Sequence, residues 1–88
     1  MTRATQPQIA YALGMVEALS RQLPAISVIY SVQMHLGDGW TKHGDDAFTF
    51  RLAGISATCE PAHPDAPSEA LRNWRRAARE RLGWECVS

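Results

Sequence analysis

Apolar residues recur along this chain in two rhythms, and the rhythms divide it into elements. Ile9, Ala12, Leu13, Val16, Leu19 and Leu23 stand three or four apart, with Ser20 among them, the spacing that puts side chains on one face of an α-helix. Thr5 and Gln8 have capping-box spacing, Pro7 suits a first helical turn, and Pro24 closes the pattern. A helix is therefore predicted from about Gln6 to Gln22. From Ile26 the rhythm changes. Ile26, Val28, Tyr30, Val32, Met34 and Leu36 alternate with Ser27, Ile29, Ser31, Gln33 and His35. This period of two, rich in β-branched residues, predicts a long strand over 26–36.

Gly37-Asp38-Gly39 ends that segment. Trp40 to His43 reads as a short strand or as loop, and Gly44-Asp45-Asp46 is a second turn signal. Phe48, Phe50 and Leu52 alternate with Thr49, Arg51 and Ala53, which predicts a strand. Gly54 is either a bulge within it or a turn into a further strand, Ile55 to Cys59. Glu60 to Pro67 holds three prolines and no periodicity, so it is expected to be a crossing loop. Asp65 or Ser68 then caps a last helix over about 67–82, closed by Gly83.

The fold expected is α+β, in the order α-β-β-(β)-α, with a small antiparallel sheet and both helices on one face. It fills one domain over residues 1–88, with a loose tail at 1–4 and an extension at 83–88, where Trp84 and Val87 are expected to return to the core. Leu13, Val16, Leu19, Val28, Tyr30, Val32, Phe50, Leu52, Leu71 and Trp74 are the expected core. The opposite sheet face is expected to carry Ser27, Ser31, Gln33, His35, Thr49 and Arg51.

Charge changes this picture at one place. The chain has 9 basic and 9 acidic residues and no net charge, yet Arg72, Arg75, Arg76 and Arg79 fall within roughly 100° of arc on the last helix. Leu71, Trp74, Ala78 and Leu82 fill the neighbouring arc. The four arginines are expected to be mostly exposed. They are either a solvated face, with Glu69 beside Arg72 and Glu80 beside Arg76, or a docking face for carboxylate or phosphate, which the planar guanidinium fits. Trp40, among glycines and charges, either anchors a partner or stacks on a base, or else folds over the end of the sheet. Tyr11, Met15 and Ala18 line the back of the first helix, where they are either covered by the C-terminal tail or form a candidate homodimer or partner face.

The remaining chemistry is sparse. Cys59 and His63 are four apart, but a tetrahedral metal site would need Cys86, His35 or His43 as well. No second close pair supports zinc, so no metal or other cofactor is expected. Asp38, Asp45 and Asp46 lack the spacing of a calcium loop. There is no phosphate-binding glycine loop and no hydrolase or metalloprotease motif, so no catalytic residue is assigned and no enzyme is expected. No apolar run reaches the about 18 residues a membrane span needs. The first eight residues lack the apolar centre of a secretory signal. The cytoplasm, with both thiols reduced, is the expected compartment.

The α-β-β-β-α order resembles that of double-stranded-RNA-binding domains. In that family the last helix opens with a glycine and a lysine cluster that holds phosphate. The matching stretch here is Asp65-Ala66-Pro67-Ser68-Glu69, which is acidic, so nucleic-acid binding through the arginine face is the second expectation. The first is a small non-enzymatic module with a protein partner. Phage and mobile-element accessory proteins, including anti-CRISPR inhibitors, are similar in size and in lacking catalytic motifs. The function expected by that analogy is an inhibitor that occupies the surface of a nucleic-acid-handling protein.

Overall fold

The computed structural model describes residues 6–60 and 64–83. Thr5, the expected tail, the 61–63 stretch with His63, and the 84–88 end with Trp84, Cys86 and Val87 lie outside the described residues. Among the described residues the order is α1 (Gln6–Leu19), α2 (Ala25–Leu36), β1 (Trp40–His43), β2 (Phe48–Leu52), β3 (Ile55–Cys59) and α3 (Ala66–Leu82). The fold is α+β with one antiparallel sheet in the order β1-β2-β3.

The segment 26–36 is a helix, which corrects the long strand expected there. Its apolar residues satisfy two periods at once. Ala25, Val28, Ile29, Val32 and Leu36 follow the i, i+3, i+4, i+7, i+11 spacing of one helix face, and Val28, Ile29 and Val32 are buried. The strand reading placed Ile29 outward and Tyr30 in the core, whereas Ile29 is fully buried and Tyr30 is 45% exposed. The ends decide between the two periods. Pro24 sits at the N-cap, where its missing N–H costs no helical bond. Gly37 adopts φ 68° and donates its N–H to the carbonyls of Gln33 and Met34, a left-handed helix stop. Ser27, Ser31, Gln33 and His35 therefore belong to α2 and not to the open sheet face.

Helix α1 stops at Leu19, one turn earlier than the pattern predicts. The Ser20 hydroxyl donates to the Val16 carbonyl (2.6 Å), and a turn carries the chain to Pro24. Its buried stripe, Ile9, Ala12, Leu13 and Val16, packs chiefly on α2 and α3. Leu19 is half-buried at its margin.

Residues 40–43 form a strand, and Gly54 is a turn. Ala53 (φ 51°) and Gly54 (φ 77°) are the two central residues between the paired Leu52 and Ile55. Left-handed φ at both positions is the turn that suits the twist of a two-residue hairpin. Phe48, Phe50 and Leu52 of β2 lie opposite Cys59, Ala57 and Ile55 of β3, and all six are buried. This is the face that α2 and α3 cover. Trp74 of α3 is fully buried there and donates its indole N–H to the Leu52 carbonyl (2.9 Å).

Gln33 ties α2 to the sheet. Its amide nitrogen donates to the Trp40 and Arg51 carbonyls, each at 3.0 Å, and its oxygen accepts from the Thr41 hydroxyl (3.2 Å). Gly39 makes the approach feasible. At φ 113° it passes so close that a Cβ there would lie 2.5 Å from the Arg51 carbonyl oxygen.

Candidate functional site

The arginine row of α3 follows from how that helix is buried. Ala70, Leu71, Trp74 and Ala78 fill the inward arc, so positions 72, 75, 76 and 79 are turned from the sheet. Arg72 and Arg76, one turn apart, are exposed. Arg75 and Arg79 are half-buried, which corrects the expectation that all four are mostly exposed. Arg79 reaches α1, where its guanidinium donates to the Glu17 carboxylate at 2.6 Å. Glu17 stands on the α1 face next to α3, so the helix pairing consumes one arginine of the row. Arg72, Arg75 and Arg76 remain as the outward part of the site. Asn73, on the same helix, donates to the Thr58 carbonyl (3.1 Å) and fixes α3 along the outer edge of β3.

Trp40 opens β1 and is 46% exposed. It does not join the arginine row. Its partner in the register is Arg51, which pairs onward with Ser56. Residues directly opposite one another in an antiparallel sheet share a face, so Trp40 stands on the face away from the helices. Lys42, Thr49 and Thr58 form the next row on that face, and the two threonine hydroxyls are 3.0 Å apart.

Tyr11, Met15 and Ala18 remain together on α1 but differ in role. Tyr11 is 53% exposed and Ala18 is exposed, while Met15 packs partly on the core. Tyr11 also shares a 2.7 Å hydrogen bond between its hydroxyl and His35 Nε2 on α2. A parallel pair joins α2 to β1, with the Tyr30 hydroxyl 3.0 Å from His43 Nε2. Met34, 83% exposed, lies on the outer side of α2. Neither tyrosine–histidine pair was legible in the sequence, because both depend on residues 25–36 being helical.

Cys59 is buried on the covered sheet face, and its thiol donates to Glu69 Oε2 at 3.0 Å. The hydrogen bond to Glu69, then burial, then the negative charges of Glu69 and Glu60 push its pKa up to about 11. A thiol so held stays protonated at neutral pH, the reverse of what a nucleophile needs. Among the described residues no group of three His, Cys, Asp or Glu side chains is placed to hold a metal ion, and no helix is long and apolar enough to cross a membrane.

Compared with protein families, curated proteins and solved structures, the chain matches none.

Proposed function

We propose that this protein is a non-enzymatic binding module that docks on an acidic protein surface through α3. The observation that carries this reading is the pair Arg72 and Arg76, both exposed, one turn apart, with Arg75 half-buried beside them. Trp74 and Ala78 beneath them are fully buried, so the guanidinium groups sit on a backbone fixed by the core. A row of forks on a rigid helix loses little freedom when it meets carboxylates, and it engages them in pairs. Such a face complements an acidic surface. It does not imitate nucleic acid, so inhibition by this route means covering a partner's acidic patch.

A second reading, binding of double-stranded RNA along α3, has one observation in its favour. The succession α2-β1-β2-β3-α3, with α2 and α3 on one sheet face, is the α-β-β-β-α order of that family. Asp65 and Glu69 at the start of α3 stand against it, since they repel phosphate where the family grips it.

The experiment is affinity capture from the native host with the wild-type chain and with Arg72→Glu combined with Arg76→Glu, followed by mass spectrometry. The expected result is a protein of acidic surface captured by the first and lost by the second. The melting temperature should move by only a few degrees, because exposed charges contribute about 0–1 kcal/mol. Unchanged capture, or a large loss of stability, overturns the reading. Capture that depends on nucleic acid surviving in the lysate transfers the site to the second reading.

A further inference from the structure

We infer that the open face of the sheet is a second binding surface, and that its ligand is single-stranded nucleic acid. This goes beyond the α3 reading and does not depend on it, since α3 covers the other side of the sheet. Six side chains project from the open face in two rows, Trp40–Arg51–Ser56 and Lys42–Thr49–Thr58. Burial along β2 and β3 alternates in step with that assignment, with every covered-face residue buried and Thr49, Arg51, Ser56 and Thr58 half-buried or exposed.

The composition of this face selects the ligand. It holds one aromatic ring, two cations and three hydroxyls, and no carboxylate among the six. Arg51 stands directly across from Trp40, a Cβ separation of about 4.5–5.5 Å in this geometry, and Lys42 lies two residues along the strand from Trp40, at roughly 7 Å. A half-exposed indole flanked by two cations offers a ring for one base and a charge for the phosphate on either side of it. An acidic peptide would satisfy the cations and leave the indole without a π-face to meet. A duplex keeps its bases stacked inside and would reach a shallow sheet with phosphate alone, so it could not use Trp40 either.

The charges around the face add a direction. Asp45 and Asp46 lie in the β1–β2 hairpin loop and Glu60 follows β3, all beyond the Lys42–Thr58 row. The opposite end, at Trp40, Arg51 and Ser56, has one acid beside it, Asp38 in the loop that leads into β1, whose carboxylate accepts the Gly39 N–H at 2.8 Å. With one acid there against three at the hairpin end, phosphate is repelled less at the Trp40 end.

The test is fluorescence anisotropy of a dye-labelled oligothymidylate of about a dozen nucleotides, titrated with the full chain at several salt concentrations. Wild type should bind, with an affinity that falls as salt rises. Trp40→Ala should weaken binding about tenfold or more and Trp40→Phe should restore much of the loss, because stacking needs a ring. Lys42→Gln with Arg51→Gln should reduce the slope of log affinity against log salt by about 1.4, two phosphate contacts at roughly 0.7 each. Arg72→Gln with Arg76→Gln should leave oligothymidylate binding unchanged, which separates this surface from α3. Absence of binding at low salt overturns the proposal. So does a duplex of the same length binding as tightly, or loss of binding on removal of Arg72 and Arg76 with Trp40→Ala neutral. Far-ultraviolet circular dichroism of each variant confirms that a loss is not unfolding, and the salt slope of Lys42→Gln with Arg51→Gln gives the answer where Trp40→Ala does not fold, an unchanged slope overturning the proposal.

Discussion

Helix α3 has seven charged residues among its 17 and α2 has none among its 12, yet both bury one stripe against the same sheet face. In α3 the outward arc is arginine and glutamate, so the boundary between buried and exposed is drawn in charge. In α2 the outward arc is Ser27, Tyr30, Ser31 and Met34, and the boundary is drawn only in degree of polarity. The two helices are equally committed to the core, with Trp74 and Ala78 of one and Val28, Ile29 and Val32 of the other fully buried. A helix thus reveals its period through what it excludes from the core. A charge-free helix rich in valine and isoleucine offers a strand period and a helix period at the same time.

The largest expected effect falls on α3. Trp74→Ala removes the largest fully buried side chain and leaves the Leu52 carbonyl without its indole partner. The truncation costs about 3–5 kcal/mol, a large share of the total stability of a domain this small. The chain is expected to be mostly unfolded in thermal denaturation. A cooperative transition near that of wild type would show that α3 is not the anchor of the sheet. On α2 the two periods make opposite forecasts for adjacent residues. Ile29→Ala is expected to cost about 2–5 kcal/mol, and Tyr30→Ala about 1 kcal/mol or less, as a half-exposed side chain whose hydroxyl bonds only to an exposed histidine. Chemical denaturation of the two variants measures both costs. A costly Tyr30→Ala beside a cheap Ile29→Ala would restore the strand.

Legibility followed the same line. Helix α3, its Gly83 stop, β2 and the first four turns of α1 could be read because charge, glycine or proline marked their limits, whereas Gly54 allows residues 55–59 to be read either as a separate strand or as β2 continued past a bulge. Segment 26–36 could not be read by alternation, although Pro24 and Gly37 flank it as helix ends would. Those ends, and Ile29 at one residue from Val28 and three from Val32, are the sequence signals that separate α2 from a strand. Of the candidate sites, the arginine row was visible as residue types, whereas the sequence does not decide whether Trp40 is exposed. The partnership of Trp40 with Arg51 and Lys42 required the β1–β2 register. Gln33 was beyond reach, since its three bonds are to groups brought together only by the docking of α2 on the first hairpin. Cys59 and Glu69, ten residues apart, meet only because α3 doubles back along β3.

The smallest expected effect concerns the one arginine of the row that turns inward. Arg79 and Glu17 join α3 to α1 at 2.6 Å, with side chains 33% and 39% exposed. Water reaches both groups, so it screens their attraction and would hydrate either one left alone. Arg79→Gln and Glu17→Gln are each expected to shift the denaturation midpoint slightly, and the double-mutant cycle should return a coupling of about 0–1 kcal/mol. The coupling should shrink further at high salt. A value near or above about 2 kcal/mol would mean that the pair clamps α1 to α3 as a desolvated bridge does. The charge that distinguishes α3 from α2 would then serve the fold as well as a partner. With weak coupling, α1 is held by Ile9, Ala12, Leu13 and Val16. The arginines Arg72, Arg75 and Arg76 then stand outside the stability of the domain, as the proposal of a binding face on α3 requires.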